Sequence, residues 1–188
     1  MFPTMNRVRR WAVFVIVLSL GTGCATNIAT KAPSVIAAQV EVKDSSFDQR
    51  ITYTGPEVFE SKSRGLLTDH QRYRLRAWKD RKSGSLSYQL YAKVWYNTGG
   101  WRHYRSASFE DGKQADVVRI SAEPSCMSRG GYTSCSYEEV VGVSLPHDFV
   151  SSKASSGFTV RINSQGGYES FFAVSPNYIQ GFLEAFSR

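Results

Sequence analysis

Between Arg72 and Trp78 the sequence reads RYRLRAW, and between Leu86 and Asn97 it reads LSYQLYAKVWYN. Apolar residues recur at every second position in both stretches. That is the period of a β-strand, whose successive side chains point to opposite faces. A strand of this kind must bury one face, so the alternation rules out a helical bundle and asks for a sheet packed on a second layer. The intervening KSGS (82–85) is turn chemistry. Centring a hairpin on Ser83-Gly84 sets Ala77 opposite Leu90, Leu75 opposite Ala92 and Tyr73 opposite Val94, with Arg72 opposite Trp95, Arg74 opposite Lys93 and Arg76 opposite Tyr91. One face is then apolar and the other basic and aromatic, and a slip of one residue would mix them.

The same period continues along the chain, with turn residues at short intervals from about Ile36 onward. A second hairpin is expected through NTGG (97–100) into WRHYRSASF (101–109), where either register points some polar residues inward. ADVVRISAE (115–123) and SCSYEEVVGVSLP (134–146) read as strands. SGFTVRINSQGGYESFFAV (156–174) reads as a hairpin turning at Gln165-Gly166-Gly167. Two helices are expected: one in PHDFVSSKAS (146–155), and one in SPNYIQGFLEAFSR (175–188), with Ser175 as N-cap and Pro176 at the first position. Tyr178, Ile179, Phe182, Leu183 and Phe186 share one face of the latter, which should pack on the sheet. The expected fold is one mainly-β domain over 36–188, an antiparallel β-sandwich or curved sheet with a short helix and a C-terminal helix packed on it.

Ahead of that domain stands a different pattern. Arg7, Arg9 and Arg10 precede an apolar run from Trp11 to Leu20, which gives way to Gly21, Thr22, Gly23 and Cys24. Basic, apolar and small residues in that order make an export signal, and the run is short for a membrane span, which takes about 20 apolar residues. Translation could begin at Met1 or Met5. LGTGC (20–24) resembles the lipobox of bacterial lipoproteins, with Gly21 where that family usually has leucine. The resemblance covers residues 7–25 only. It implies removal of a signal peptide over 1–23, acylation of Cys24 and attachment to a membrane through two or more acyl chains, the number stable anchoring needs. In that family Ala25, rather than an aspartate, goes with the outer membrane, so the expected location is lipid-anchored there with the domain in the periplasm, surface exposure remaining open. The polar, small residues of 24–35, interrupted by Pro33, read as a tether.

Two cysteines remain once Cys24 is acylated. Cys126 and Cys135 flank a segment with Gly130 and Gly131, and an even pair in an oxidising compartment reads as one disulfide. The formal net charge of +7 includes the three arginines of the signal. The milder excess that remains does not point to nucleic acid, but suits anionic headgroups.

Catalytic and metal chemistry find no support in the spacing. His70, His103 and His147 are scattered, no histidine lies between the two cysteines, and no G-x-S-x-G elbow accompanies His147-Asp148. Glu138 and Glu139 are neighbours on an expected strand and so face opposite ways. No glycine-rich phosphate loop or dinucleotide fingerprint is present. No catalytic residue, cofactor or metal is assigned. What remains is the face carrying Arg72, Arg74, Arg76, Tyr91, Lys93 and Trp95, whose guanidinium forks suit phosphate or carboxylate and whose rings suit stacking. Such a face would meet lipopolysaccharide, peptidoglycan or an envelope protein. It could also simply be a solvated outer sheet face. The expected function is therefore a non-catalytic binding or envelope-assembly component. The alternatives are an inhibitor of a cell-wall hydrolase acting through loop 127–134, and a hydrolase whose site only folding assembles.

Overall fold

The protein is seen as a computed structural model that describes residues 27–64, 67–97 and 100–187. The expected signal (1–23) and Cys24 lie outside the described residues. The fold is mainly β, as the alternation requires. In chain order the strands are β1 (Glu41–Lys43), β2 (Arg50–Thr54), β3 (Val58–Arg64), β4 (Leu67–Asp80), β5 (Leu86–Tyr96), β6 (Tyr104–Phe109), β7 (Gln114–Ala115), β8 (Val117–Arg129), β9 (Tyr132–Leu145), β10 (Phe158–Ser164) and β11 (Glu169–Val174). Seven form one antiparallel sheet in the order β1-β2-β4-β5-β9-β8, with β3 paired to the other half of β4. The remaining four form a second sheet, β11-β10-β6-β7. Three short helices complete the domain: α1 (Pro33–Ala37), α2 (His147–Ser152) and α3 (Pro176–Glu184).

The inner face of the larger sheet carries the alternating set Tyr73, Leu75 and Ala77 on β4 and Tyr88, Leu90, Ala92 and Val94 on β5, all buried. The second sheet and α3 cover it. Tyr73 meets the Phe172 ring edge-on and donates its hydroxyl to the Ala173 carbonyl (2.6 Å), while Tyr178 packs on Tyr73 from α3.

The β4–β5 register differs from the sequence expectation by two residues. Ala77 lies opposite Tyr88, Leu75 opposite Leu90 and Tyr73 opposite Ala92; on the other face Arg72 meets Lys93, Arg74 meets Tyr91 and Arg76 meets Gln89. The cause is the turn. Asp80 closes it by accepting hydrogen bonds from the backbone N–H (2.9 Å) and hydroxyl (3.0 Å) of Ser83 and from the backbone N–H of Lys82 (3.0 Å), which hold its carboxyl below the ordinary aspartate value. The chain then exits through Gly84 at φ +70°, where a side chain would be strained. The loop thereby centres earlier than Ser83-Gly84. An even shift leaves every residue on its expected face.

The second expected hairpin does not form. After Tyr96 the chain leaves the larger sheet and crosses to begin β6 in the other one. Buried Glu139 on β9 directs the crossing. Its carboxylate accepts from the Tyr96 hydroxyl and from three successive backbone N–H groups, those of Arg102 (3.0 Å), His103 (3.0 Å) and Tyr104 (3.1 Å). The buried Arg102 guanidinium makes a two-pronged pair with Asp69 (2.6 and 3.0 Å) and sits between the faces of Tyr96 and Tyr168 at 4.0 and 4.2 Å. Polar residues do point inward, as either register demanded, but with partners waiting for them.

The expected tether is largely folded. Residues 28–30 form a turn of 3-10 helix and α1 follows at once; Ala29, Ile36 and Ala37 are buried. The Ser175 hydroxyl donates to the Ala29 carbonyl (2.5 Å) and the Asn177 amide to that of Lys31 (3.2 Å). Gly181 permits the contact, since a Cβ there would stand 2.4 Å from the Pro33 carbonyl oxygen and 2.6 Å from Ile36 Cβ. Ile28 and the buried Ala29, inside a polar-looking segment, are what the tether reading overlooked. α3 itself starts as expected, with Ser175 as N-cap and Pro176 next.

Tyr178 on α3 also repairs the larger sheet. Between β2 and β3 the chain bulges at Gly55-Pro56, where proline has no N–H to give to the ladder. The Tyr178 hydroxyl fills the gap, donating to the Pro56 carbonyl (2.6 Å) and accepting from the Leu75 N–H (3.3 Å). Tyr178→Phe should therefore destabilise the protein by about 1–3 kcal/mol, the cost of leaving buried backbone groups unpaired. A thermal melt checks this. Gly55→Ala should also be destabilising, because its Cβ would lie 2.6 Å from that hydroxyl oxygen.

Candidate functional site

The residues expected to form a basic-aromatic face do share one. β4 contributes Arg72, Arg74 and Arg76, and β5 contributes Tyr91, Lys93 and Trp95, all on the side of the larger sheet away from the core. Lys93 and Trp95 stand two positions nearer the turn-distal end of β4 than expected, so Trp95 faces His70 rather than Arg72.

The arginines are well held. Glu57 accepts from Arg72 Nη1 through one oxygen and from Arg74 Nη2 through the other, each at 3.0 Å. Arg76 lies over the Tyr91 ring at 4.6 Å and the Trp78 ring at 5.2 Å, and donates to the Gln89 side-chain oxygen (2.5 Å). Burial pulls its pKa below the ordinary guanidinium value, an effect that Tyr91 opposes. Gly142 on β9 makes room for Gln89, whose amide a Cβ there would strike at 2.3 Å. Lys93 pairs with Glu138 at 2.9 Å. Two carboxylates, Glu57 and Glu138, thus hold three of the four cations of this patch, and Arg76 is held by rings and Gln89.

Beside the arginine stripe lies a shallow groove of about 360 Å³ lined by Phe59, His70, Arg72, Lys93, Trp95 and Glu138. Two cross-strand rows build it. His70, Trp95 and Glu138 stand in register across β4, β5 and β9, and Phe59, Arg72 and Lys93 across β3, β4 and β5. Rows two residues apart lie on the same face of a pleated sheet. Phe59 stacks on His70 at 5.8 Å, and His70 lies 5.2 Å from Trp95. Phe59, His70 and Glu138 were not part of the face read from the sequence. Phe59 sits on β3, whose register with β4 depends on the Gly55-Pro56 bulge. Glu138 reaches the groove through β9, which is far from β5 in the chain. The only local signal was the odd-even phase of Glu138 against Glu139, which does send one carboxylate outward and the other inward.

Cys126 and Cys135 form the expected disulfide, directly opposite one another across β8 and β9 with 4.0 Å between Cα atoms. The segment between them is a two-stranded ribbon, turned at Gly130-Gly131 with both glycines at positive φ. It extends past Tyr137, the last residue of β9 paired to β5. Met127 is 74% exposed and Tyr132 84%. Both share the face that carries Glu138, so ribbon and groove are continuous.

The histidines stay apart: His70 in the groove, His103 in the crossover at φ +55°, and His147 at the start of α2 against the Tyr88 ring. Among the described residues no group of three or more His, Cys, Asp or Glu could hold a metal ion, and no helix is long and apolar enough to cross a membrane. Comparison of the chain with models of protein families, with curated proteins and with solved structures finds no match. The function must be argued from this geometry.

A disulfide closing so short a loop stabilises by about 2–3 kcal/mol if only the unfolded chain gains freedom on its removal. Here the ribbon buries little and can fray in the folded state too, which shrinks that difference. Replacing Cys126 and Cys135 by serine should lower the melting temperature only slightly, while amide protection over 125–136 falls strongly in hydrogen exchange.

Proposed function

We propose that the protein is a non-catalytic binding or assembly component of a bacterial envelope, anchored in the outer membrane by an acylated Cys24 with its domain in the periplasm. Its ligand is an anionic component, a lipopolysaccharide phosphate, a peptidoglycan carboxylate or an acidic protein surface. One observation carries the binding role: Arg72, Arg74 and Lys93, held in place by Glu57 and Glu138, gather with Arg76 on one sheet face, beside an open groove with aromatic residues in its lining. Guanidinium groups already oriented by Glu57 and by ring faces lose little freedom on meeting a phosphate or carboxylate, so the face is preorganised for one. The folded 27–37 segment supports a close attachment. Three peptide steps separate Cys24 from Asn27, a reach of about 11 Å at full extension. A domain so held cannot wander far from the headgroups.

Arg76 is packed between rings, so the variant for testing is Arg72→Gln with Arg74→Gln. It should keep its fold but lose salt-sensitive recovery of the anionic partner from envelope extract, because exposed charges are screened over about 8 Å at physiological ionic strength. Equal recovery by wild type and variant at low and high salt would refute the binding face. For the anchor, the membrane-extracted protein should have the mass of a chain starting at an acylated Cys24, and Cys24→Ser should abolish that species. A different amino terminus rejects the anchor.

The ribbon favours a second reading, inhibition of a cell-wall hydrolase. It is narrow, pinned by the disulfide, and presents Met127 and Tyr132 at its end, which suits entry into a cleft. Inhibition of lysozyme-type activity by wild type, and its loss in Tyr132→Ala, would support that reading.

A further inference from the structure

The groove shares Arg72 with the arginine stripe and adds aromatic rings and the Lys93–Glu138 pair. Its cations are already compensated within the protein: Lys93 by Glu138 at 2.9 Å and Arg72 by Glu57 at 3.0 Å. An anion approaching Lys93 must compete with Glu138 in place. A hydroxyl group need not. Its oxygen can accept from the Lys93 ammonium or the Arg72 guanidinium while its hydrogen is donated to Glu138, so that both ion pairs survive. The rest of the groove asks for the opposite character. Phe59, His70 and Trp95 line it, Phe59 stacked on His70 at 5.8 Å and His70 tilted against Trp95 at 5.2 Å, with Phe59 half exposed. Charged hydrogen-bonding groups beside aromatic rings in an open groove call for a ligand with hydroxyls on its rim and C–H groups on its face. A pyranose has that construction. When all its ring substituents are equatorial, both faces present uninterrupted C–H groups; an axial hydroxyl breaks one of them. The volume, about 360 Å³, falls within the roughly 300–1,000 Å³ usual for small-molecule sites.

We propose that this groove is a saccharide subsite for an equatorially substituted pyranose, its C–H face on Trp95 and its hydroxyls on Lys93, Glu138 and Arg72. The proposal rests on the outer face being a binding surface and names the ligand of one part of it. Salt separates the two, because stacking and hydroxyl contacts survive ionic strength that screens an exposed anion.

The test is titration of the purified protein with cellotriose and chitotriose, and with β-1,4-galactotriose as the axial-hydroxyl control, followed by amide chemical shifts and tryptophan fluorescence. At least one of the first two should shift signals of β4, β5 and β9 around Trp95, more strongly than the control and equally at low and high salt. Trp95→Ala should weaken that binding by about tenfold or more, while Trp95→Phe retains a stacking ring and most of the affinity. Glu138→Gln, which loses the charged acceptor, should also weaken it. Each variant is first checked by thermal melting; should Trp95→Ala fail to fold, Trp95→Phe and Glu138→Gln carry the comparison. No shift with either saccharide, shifts away from the groove, or binding abolished by salt would overturn the proposal. Arg74→Gln alone lies outside the groove lining and reports on the salt-sensitive partner without touching the subsite, so either reading can fail by itself.

Discussion

Glu139 lies at the meeting point of the two sheets, and the arrangement of the rest follows from how it is satisfied. A buried carboxylate is costly unless hydrogen bonds replace its water. Here three consecutive backbone N–H groups and a tyrosine hydroxyl do so. Those donors belong to the segment that leaves β5, so the carboxylate draws the chain out of one sheet and into the other. Once that turn is made, Arg102 lands between Tyr96 and Tyr168 with Asp69 as its counter-ion, and the second sheet is tied to the first by a charged cluster as well as by apolar contact. Removing either charge alone would strand its partner in the interior, which is why such pairs act as a unit.

The crossover also decides which face of the larger sheet remains open. With the second sheet and α3 occupying the apolar side, the side bearing the arginines is left uncovered by the described residues. Its side chains are nonetheless ordered. Glu57 spans two guanidiniums, and Arg76 is sandwiched and hydrogen-bonded to Gln89. A solvated edge needs only charge; this face has charge, orientation and a groove. That difference favours recognition over mere solubility.

At the opposite end of the chain's path, α3 joins three parts that are remote in sequence. Its Tyr178 hydroxyl completes the β2–β4 ladder at the proline break, its Ser175 and Asn177 hold the 27–31 segment, and its Gly181 admits α1. Gly55 and Gly181 are small for a shared reason: each lets another element come closer than a methyl group would allow. The amino-terminal end of the domain is therefore part of its core, and any anchor preceding it acts on a folded unit almost directly.

The period-two alternation, the Ser175-Pro176 helix start, the Gly-rich turns and the paired cysteines were all legible in the sequence, because each is set by backbone geometry over a few residues. The membership of the basic face was legible too, since a two-residue change of register keeps every side chain on its side. What only tertiary structure decided was where the strands went. Whether β5 continued into a hairpin or crossed to a second sheet depended on Glu139, which lies decades of residues from Tyr96 in the chain but within hydrogen-bonding distance of it in space. The tether looked polar because its buried Ala29 gains a partner only when α3 arrives. The groove likewise needed β3, β4, β5 and β9 side by side, and no local pattern encodes that neighbourhood. Short-range sterics write themselves into sequence, whereas the pairing of a buried charge is settled only when the chain returns to meet it.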